Sequence, residues 1–222
     1  EKSAMAFARN TKISFVIIVL ASIVGAVPAA AKTTHRTHHT HHVAHHRKHH
    51  HVAPGVARSA SYSDIVIDAD SGEILRATDP DALRHPASLT KMMTLYLTFQ
   101  ALEAGRVRMN QYLPISAHAA EQPPSKLGLR PGQRIRLEDA IKGIVTESAN
   151  DAAVVLAEWL GGSESGFAAM MTRQARALGM TRTHYDNASG LPDDGQLTTA
   201  RDMAVLAHSL IYHFPEYYHD FD

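Results

Sequence analysis

The chain has 222 residues, 22 Lys/Arg against 22 Asp/Glu, and no cysteine, which excludes a disulfide framework, a thiolate nucleophile and any Cys-based zinc or iron–sulfur site. The formal charge of zero conceals a split: residues 32–60 carry five basic residues and no acid, while residues 61–222 carry 14 basic and 21 acidic residues, a net of −7. An acidic body of that kind argues against nucleic-acid binding.

The first segment, 1–31, reads as a secretory signal peptide. Ile13 to Val27 is a run of fifteen uncharged, mostly apolar residues, preceded by Arg9 and Lys12 and followed by Pro28-Ala29-Ala30-Ala31 as the small-residue cleavage site. A membrane-spanning helix needs about twenty apolar residues, so cleavage after Ala31 is expected, with an uncleaved membrane anchor as the alternative. Export to the periplasm follows from either. Residues 32–60 form a His-rich linker, with ten histidines among the seventeen residues His35 to His51. Nothing there can build a core, so disorder is expected. A flexible spacer is the plain reading, and weak binding of zinc, nickel or copper is the other, although no fixed ligand spacing is evident.

The remaining 162 residues, 61–222, suffice for one core. Ser63 to Arg76 predicts a hairpin, with β-branched Ile65-Val66-Ile67 and a return at Glu73-Ile74-Leu75-Arg76 around the turn Asp68 to Gly72. Lys91 to Gly105 predicts a helix with Met92, Leu95, Tyr96, Phe99 and Leu102 on one face. Asn110 to Gly132, broken by four prolines, reads as an extended connection. Helices are predicted over Leu137 to Val145 and Asp151 to Leu160, separated by the polar break Thr146 to Asn150. Another should span Glu164 to Leu178; Tyr185 to Gly195 reads as loop, and Thr199 caps a last helix through Ile211. The fold class is therefore α+β, a helical lobe with the beginning of an antiparallel sheet. Two strands alone are marginal, so the later strands are expected beyond Asp222.

Two short motifs carry the chemistry. Ser88-Leu89-Thr90-Lys91 opens the first helix, and residues three apart share a face, so the lysine amine can fold back toward the serine hydroxyl. A serine needs an adjacent base to act as a nucleophile, and a desolvated lysine supplies one once its pKa falls. The helix start adds a backbone N–H for a developing oxyanion. Alone, the pair is better read as a capping serine with a solvated lysine. The second motif, Ser148-Ala149-Asn150, lies in the polar break, where a hydroxyl can relay a proton and an amide can orient a carbonyl. Alone, it reads as a helix cap. The scattered His85, His118, His184, His208, His213 and His219 have no ligand spacing; His85 is expected to pack beneath the helix start, and Trp159 to pack between helices.

Taken in order, these residues resemble a family. Asp68-Ala69-Asp70-Ser71-Gly72, His85-Pro86-Ala87-Ser88-Leu89-Thr90-Lys91-Met92-Met93, Ser148-Ala149-Asn150-Asp151-Ala152-Ala153, Asn187-Ala188-Ser189-Gly190-Leu191-Pro192 and Thr198-Thr199-Ala200-Arg201-Asp202 are similar to the D-alanyl-D-alanine carboxypeptidases, the low-molecular-mass penicillin-binding proteins of serine peptidase family S11. The likeness covers roughly Tyr62 to Tyr212. It implies the penicillin-recognising, β-lactamase-like fold, with Ser88 acylated, Lys91 as base, Ser148 as proton shuttle and Asn150 as substrate binder. The implied partners are peptidoglycan stem peptides ending in D-Ala-D-Ala and β-lactam antibiotics, with no cofactor and no metal in the site. The family's third motif, Lys-Thr-Gly on a sheet strand, is absent; the Lys-Gly pair at Lys142-Gly143 falls in a predicted helix. The chain is thus expected to be a fragment truncated before the later sheet strands, and inactive by itself for want of that motif. A DD-endopeptidase shares every motif present. A serine β-lactamase shares the first, though Ala149 and the surroundings of Glu158 and Glu164 depart from its pattern. A non-catalytic, His-rich wall protein is the remaining alternative.

Overall fold

The computed structural model describes residues 16–22 and 62–217. Three strands form an antiparallel sheet in the order β1 (Val16–Ser22), β2 (Tyr62–Asp68), β3 (Ile74–Thr78). The β2–β3 hairpin is the one expected, and its turn is closed by Asp68, whose carboxylate accepts both the N–H and the hydroxyl of Ser71 at 2.8 Å. The partner strand β1 was not expected, because it lies inside the segment read as leader; it runs antiparallel to β2 from Val16 opposite Asp68 to Ser22 opposite Tyr62. One property explains both readings: an unbroken apolar run rich in Val and Ile suits the centre of a leader and a β-strand alike. The rest of residues 1–31 and the His-rich tract lie outside the described residues.

The helical lobe follows. A 3₁₀ turn, Ala87–Leu89, leads into α1 (Thr90–Glu103). The stretch read as a featureless connection contains β4 (Tyr112–Pro114) and the single-turn α2 (Ala117–Ala120), and β4 pairs with β5 (Arg134–Arg136) to make a second, two-stranded sheet. These pieces are three or four residues long, too short for a hydrophobic period to register. Then come α3 (Leu137–Glu147), α4 (Asn150–Gly161), α5 (Glu164–Ala177) and α6 (Ala200–His213), the last capped by Thr199 as expected, its Oγ1 accepting the Asp202 N–H at 3.1 Å. Among the described residues, no helix is long and apolar enough to cross a membrane.

α4 is the axis of the lobe. It touches α1, α2, α3, α5 and β4, and Ala152 to Ala157 are buried without interruption, so the helix has no wet face along that stretch. The small alanines let its neighbours approach, and large side chains from those neighbours, Phe99, Leu137, Ile141, Phe167 and Met171, fill the space. α6 packs against β1 and β2 and joins the lobe to the sheet. Trp159, expected in the packing, is instead 44% exposed at the end of α4, where the helix leaves the core.

Candidate active site

Ser88 sits in the 3₁₀ turn, exposed, one turn ahead of Lys91. The turn begins from an unusual conformation: Ala87 has φ +48°, the left-handed region that a residue with a β-carbon enters at a cost of about 1–3 kcal/mol. That bend delivers Ser88 to the head of α1. Its own N–H lies at the start of the helix, where donors are not yet consumed by the backbone ladder.

Lys91 is not the solvated lysine of the plain reading. It is 4% exposed, and its Nζ donates to the carbonyl of Ser189 at 2.6 Å. Burial pushes its pKa down from the usual 10.5 to about 8. One turn further along α1, the Thr94 hydroxyl donates to the carbonyl of Ala188 at 2.7 Å, so two side chains three residues apart on the helix hold two consecutive carbonyls of a loop 94–98 residues away. That loop is stiffened from within by Asn187. Its Oδ1 accepts the N–H groups of Ser189 and Gly190 at 3.2 and 2.8 Å, and its Nδ2 donates to Leu191 O at 3.0 Å.

The second motif lies at the α3–α4 junction. Ser148 ends α3 in the left-handed conformation, φ +52°, and Ala149, with no capping side chain, occupies the N-cap position of α4. Neither Ser148 nor Asn150 therefore serves as the helix cap that the plain reading offered. Asn150 is 6% exposed and tied to the preceding loop: its N–H donates to Ser125 O at 2.8 Å and its Nδ2 to Pro123 O at 2.9 Å. One amide hydrogen is thus committed to the protein, leaving the other and the carbonyl oxygen for a ligand. Next to it, the fully buried Asp151 accepts four backbone N–H groups, from Leu127, Gly128, Leu129 and Ala152, at 2.9–3.0 Å. The Leu127 side chain presses on Gly143 of α3, where a β-carbon would meet it at 2.6 Å. Lys142 and Gly143 are accordingly helical, and Lys142 pairs with Glu138 at 2.7 Å.

Contact between α1 and α4 brings the Ser88–Lys91 end of one helix and the Asn150 end of the other into one lobe, although among the described residues no hydrogen bond links Ser148 to Ser88 or Lys91. His85 does not pack beneath the helix; it is exposed, with Nδ1 at 3.0 Å from Gln196 O. Sequence reasoning missed the role of Asn187, Ser189 and Gly190. Their pattern signals a turn, and nothing local shows that the turn's carbonyls face Lys91. Among the described residues, no group of three or more His, Asp or Glu side chains is arranged to hold a metal ion.

A helical lobe beside an antiparallel sheet, with a serine at the head of a buried helix and a desolvated lysine one turn on, defines the penicillin-recognising serine-peptidase class. The sequence model of the D-alanyl-D-alanine carboxypeptidases matches residues 48–221, and the chain belongs to that family. It is 39% identical over 171 residues to D-alanyl-D-alanine carboxypeptidase DacA of Escherichia coli K12, an alignment covering 74% of this chain and 42% of the relative. The fold is similar to that of D-alanyl-D-alanine carboxypeptidase DacD from Francisella tularensis (TM-score 0.69, 39% identity, 71% of this chain and 38% of that one). It is also similar to penicillin binding protein 5 from Haemophilus influenzae (TM-score 0.68, 34% identity, 70% and 46%). The chain thus spans about two-fifths of the length of the curated relatives it matches.

Proposed function

We propose that the protein is a serine-type D-Ala-D-Ala carboxypeptidase that trims peptidoglycan stem peptides through an acyl-enzyme on Ser88. The observation that carries this reading is the Lys91 amine, buried one helical turn from an exposed serine and brought by desolvation to a pKa of about 8. A fraction of that amine is neutral near pH 7, and because one of its hydrogens is engaged by Ser189 O, its lone pair is free to accept a proton from elsewhere.

Ser88 Oγ adds to the carbonyl carbon of the penultimate D-Ala while its proton passes to Lys91. The Ser88 N–H donates to the oxyanion that forms. Collapse breaks the C–N bond, the departing D-alanine amine takes a proton relayed from Lys91 through the Ser148 hydroxyl, and an ester remains on Ser88. Water then adds to the ester with Lys91 again accepting the proton, which frees Ser88 and the shortened peptide. Asn150 holds the substrate amide with the groups its protein contacts leave open. A β-lactam carbonyl takes the same attack, and its leaving nitrogen stays tethered in the opened ring, so the acyl-enzyme persists.

Glu158 and Glu164 offer no deacylating base of the β-lactamase kind, since Glu158 accepts the Ser116 hydroxyl at 2.9 Å and Glu164 is engaged through both oxygens. A DD-endopeptidase would use the same residues on a crosslink. We place the reaction in the periplasm, reached through the leader 1–31, with residues 32–60 as a spacer able to bind zinc, nickel or copper weakly.

The test is covalent labelling of the full-length product, third motif included, with a fluorescent penicillin, alongside D-alanine release from a D-Ala-D-Ala peptide. Label on Ser88 by mass spectrometry, lost in Ser88→Ala, together with release of D-alanine, is the expected result. A dark protein, or an adduct elsewhere, overturns the reading; crosslink cleavage without D-alanine release turns it to an endopeptidase.

A further inference from the structure

Among the carboxylates that the proposed mechanism does not use, Glu164 stands between the two walls of the site. Glu164 opens α5, and its side chain is 16% exposed. Oε1 accepts the N–H of Ala188 at 3.1 Å, and Oε2 accepts from His118 Nε2 at 2.7 Å. Ala188 is the residue whose carbonyl is held by Thr94, and it directly precedes Ser189, whose carbonyl holds Lys91. The Glu164 carboxylate therefore stands one peptide unit away from the group that fixes the base.

Its other oxygen leads to the opposite wall. His118 belongs to α2, and its carbonyl accepts Gln122 Nε2 at 3.1 Å; the next residue, Pro123, supplies the carbonyl that takes the Asn150 amide. One carboxylate thus joins the loop that carries the Lys91 acceptor to the segment that carries the Asn150 acceptor. The bond to Glu164 raises the His118 pKa above its usual value, and Glu158 of α4 and Glu121 at the end of α2 add to it. Asp186 lines the same open depression and is paired with His184 at 3.1 Å. The three Glu carboxylates favour the protonated His118 ring, which donates toward Glu164.

We propose that Glu164 is a positioning residue for the Lys91 base, acting through the Ala188–Ser189 backbone and itself held in place by His118. This rests on the reading of Lys91 as base. An exposed ion pair between Glu164 and His118 has little worth by itself, so the effect must come from where Glu164 holds Ala188. A shift of the order of an ångström in a general base costs a large factor in rate while leaving binding of the inhibitor little changed.

The experiment measures penicillin acylation of the full-length product, third motif included, by rapid mixing, separating the limiting rate from the saturation constant, with thermal melting of each variant. Glu164→Ala is expected to lower the limiting rate by about tenfold or more with the saturation constant within about twofold, and Glu164→Gln, which keeps an acceptor for Ala188, to recover most of it. Ser163→Ala removes the α5 cap, an acceptor for Gly166 N–H at 3.0 Å, and leaves both Glu164 hydrogen bonds with their own partners in place. It is expected to melt lower and acylate as the wild type does. A wild-type limiting rate in folded Glu164→Ala, or equal slowing in Ser163→Ala, overturns the proposal. Should Glu164→Ala fail to fold, His118→Ala carries the test, with a wild-type limiting rate overturning it. Lys91→Ala separates the two layers: if it acylates normally, the base assignment fails and the proposal with it, whereas a slow Lys91→Ala beside a normal Glu164→Ala refutes the positioning role alone.

Discussion

Gly190 lies so close beneath Ala87 that a β-carbon on the glycine would stand 1.8 Å from the Ala87 carbonyl oxygen and 3.0 Å from the Ser88 nitrogen. The peptide just ahead of the proposed nucleophile is therefore seated on bare backbone. Gly190 also has φ +88°, so glycine is required there twice over, for conformation and for space. The neighbour cannot swing aside, because it is main chain held by the turn that sets Ser88. Gly190→Ala is expected to lose about 2–4 kcal/mol of stability. Displacing Ser88 relative to Lys91 should also slow penicillin acylation by about a hundredfold. Chemical denaturation and labelling kinetics measure the two effects, and a variant with wild-type acylation would show that the contact does not set the nucleophile.

Asp151 makes a second prediction. Its buried carboxylate collects four backbone N–H groups, three of them from residues 127–129, and so fastens the loop that in turn grips Asn150. Hydrogen bonds to an ionised acceptor are individually worth about 1.5–3 kcal/mol, and donors left buried without one add their own cost. Asp151→Ala should therefore cost about 3–4 kcal/mol in all. Asp151→Asn offers one oxygen for four donors and turns an amide nitrogen toward N–H groups, so it should rescue only in part. Melting curves of both variants decide the matter, and a loss below about 1 kcal/mol in Asp151→Ala would mean the loop is held by its other contacts.

The helices and the Ser88–Lys91 pair were legible because they rest on local pattern: a 3.6-residue period, glycine stops, and a spacing that puts two side chains on one face. What remained hidden depends on contacts far apart in sequence. The one-faced reading of α1 underestimates it, since Thr94, Leu97 and Thr98 are buried along with Tyr96 and Phe99. A helix enclosed by α4, α5 and α6 has little dry-to-wet contrast for a periodicity to detect. The same enclosure turns Lys91 from an apparent surface residue into a buried amine. Asn187 to Gly190 reads only as a turn, because its purpose is supplied by Lys91 and Thr94 nearly a hundred residues earlier.

The His-rich tract yields a prediction from composition alone. With ten imidazoles in seventeen residues, weak binding of zinc, nickel or copper at neutral pH is expected, fading below about pH 6 as the rings protonate. Deleting His35 to His51 should abolish that binding in titration calorimetry and leave D-alanine release from a soluble peptide unchanged. A chelator should likewise have no effect on release. A tenfold drop in turnover on deletion would place the tract in the catalytic machinery.

Lys91 should make the protein less stable in order to make it reactive. Its pKa is about 8 in the folded chain and 10.5 when exposed, so between those values the unfolded chain binds a proton that the native one does not. Stability of the wild type from this group therefore rises with pH across that window, by at most about 3 kcal/mol, and below it the full cost of burying the ammonium is present. Lys91→Met keeps the apolar stem and removes the charge. It leaves the Ser189 carbonyl without its donor, a loss of about 1–2 kcal/mol, so a net gain of roughly 1–2 kcal/mol is expected at neutral pH, shrinking and reversing as pH approaches 10.5. The same variant should acylate at least about a hundredfold more slowly, the usual scale for losing a general base. In the wild type, acylation should climb with pH to a plateau above about 8, as the neutral amine becomes the main form. Denaturant unfolding of both proteins across this range tests the stability half, and rapid-mixing acylation the other. A methionine variant less stable than wild type at neutral pH, with a difference that does not change with pH, would mean that Lys91 is solvated in the folded chain and is not held as a low-pKa base.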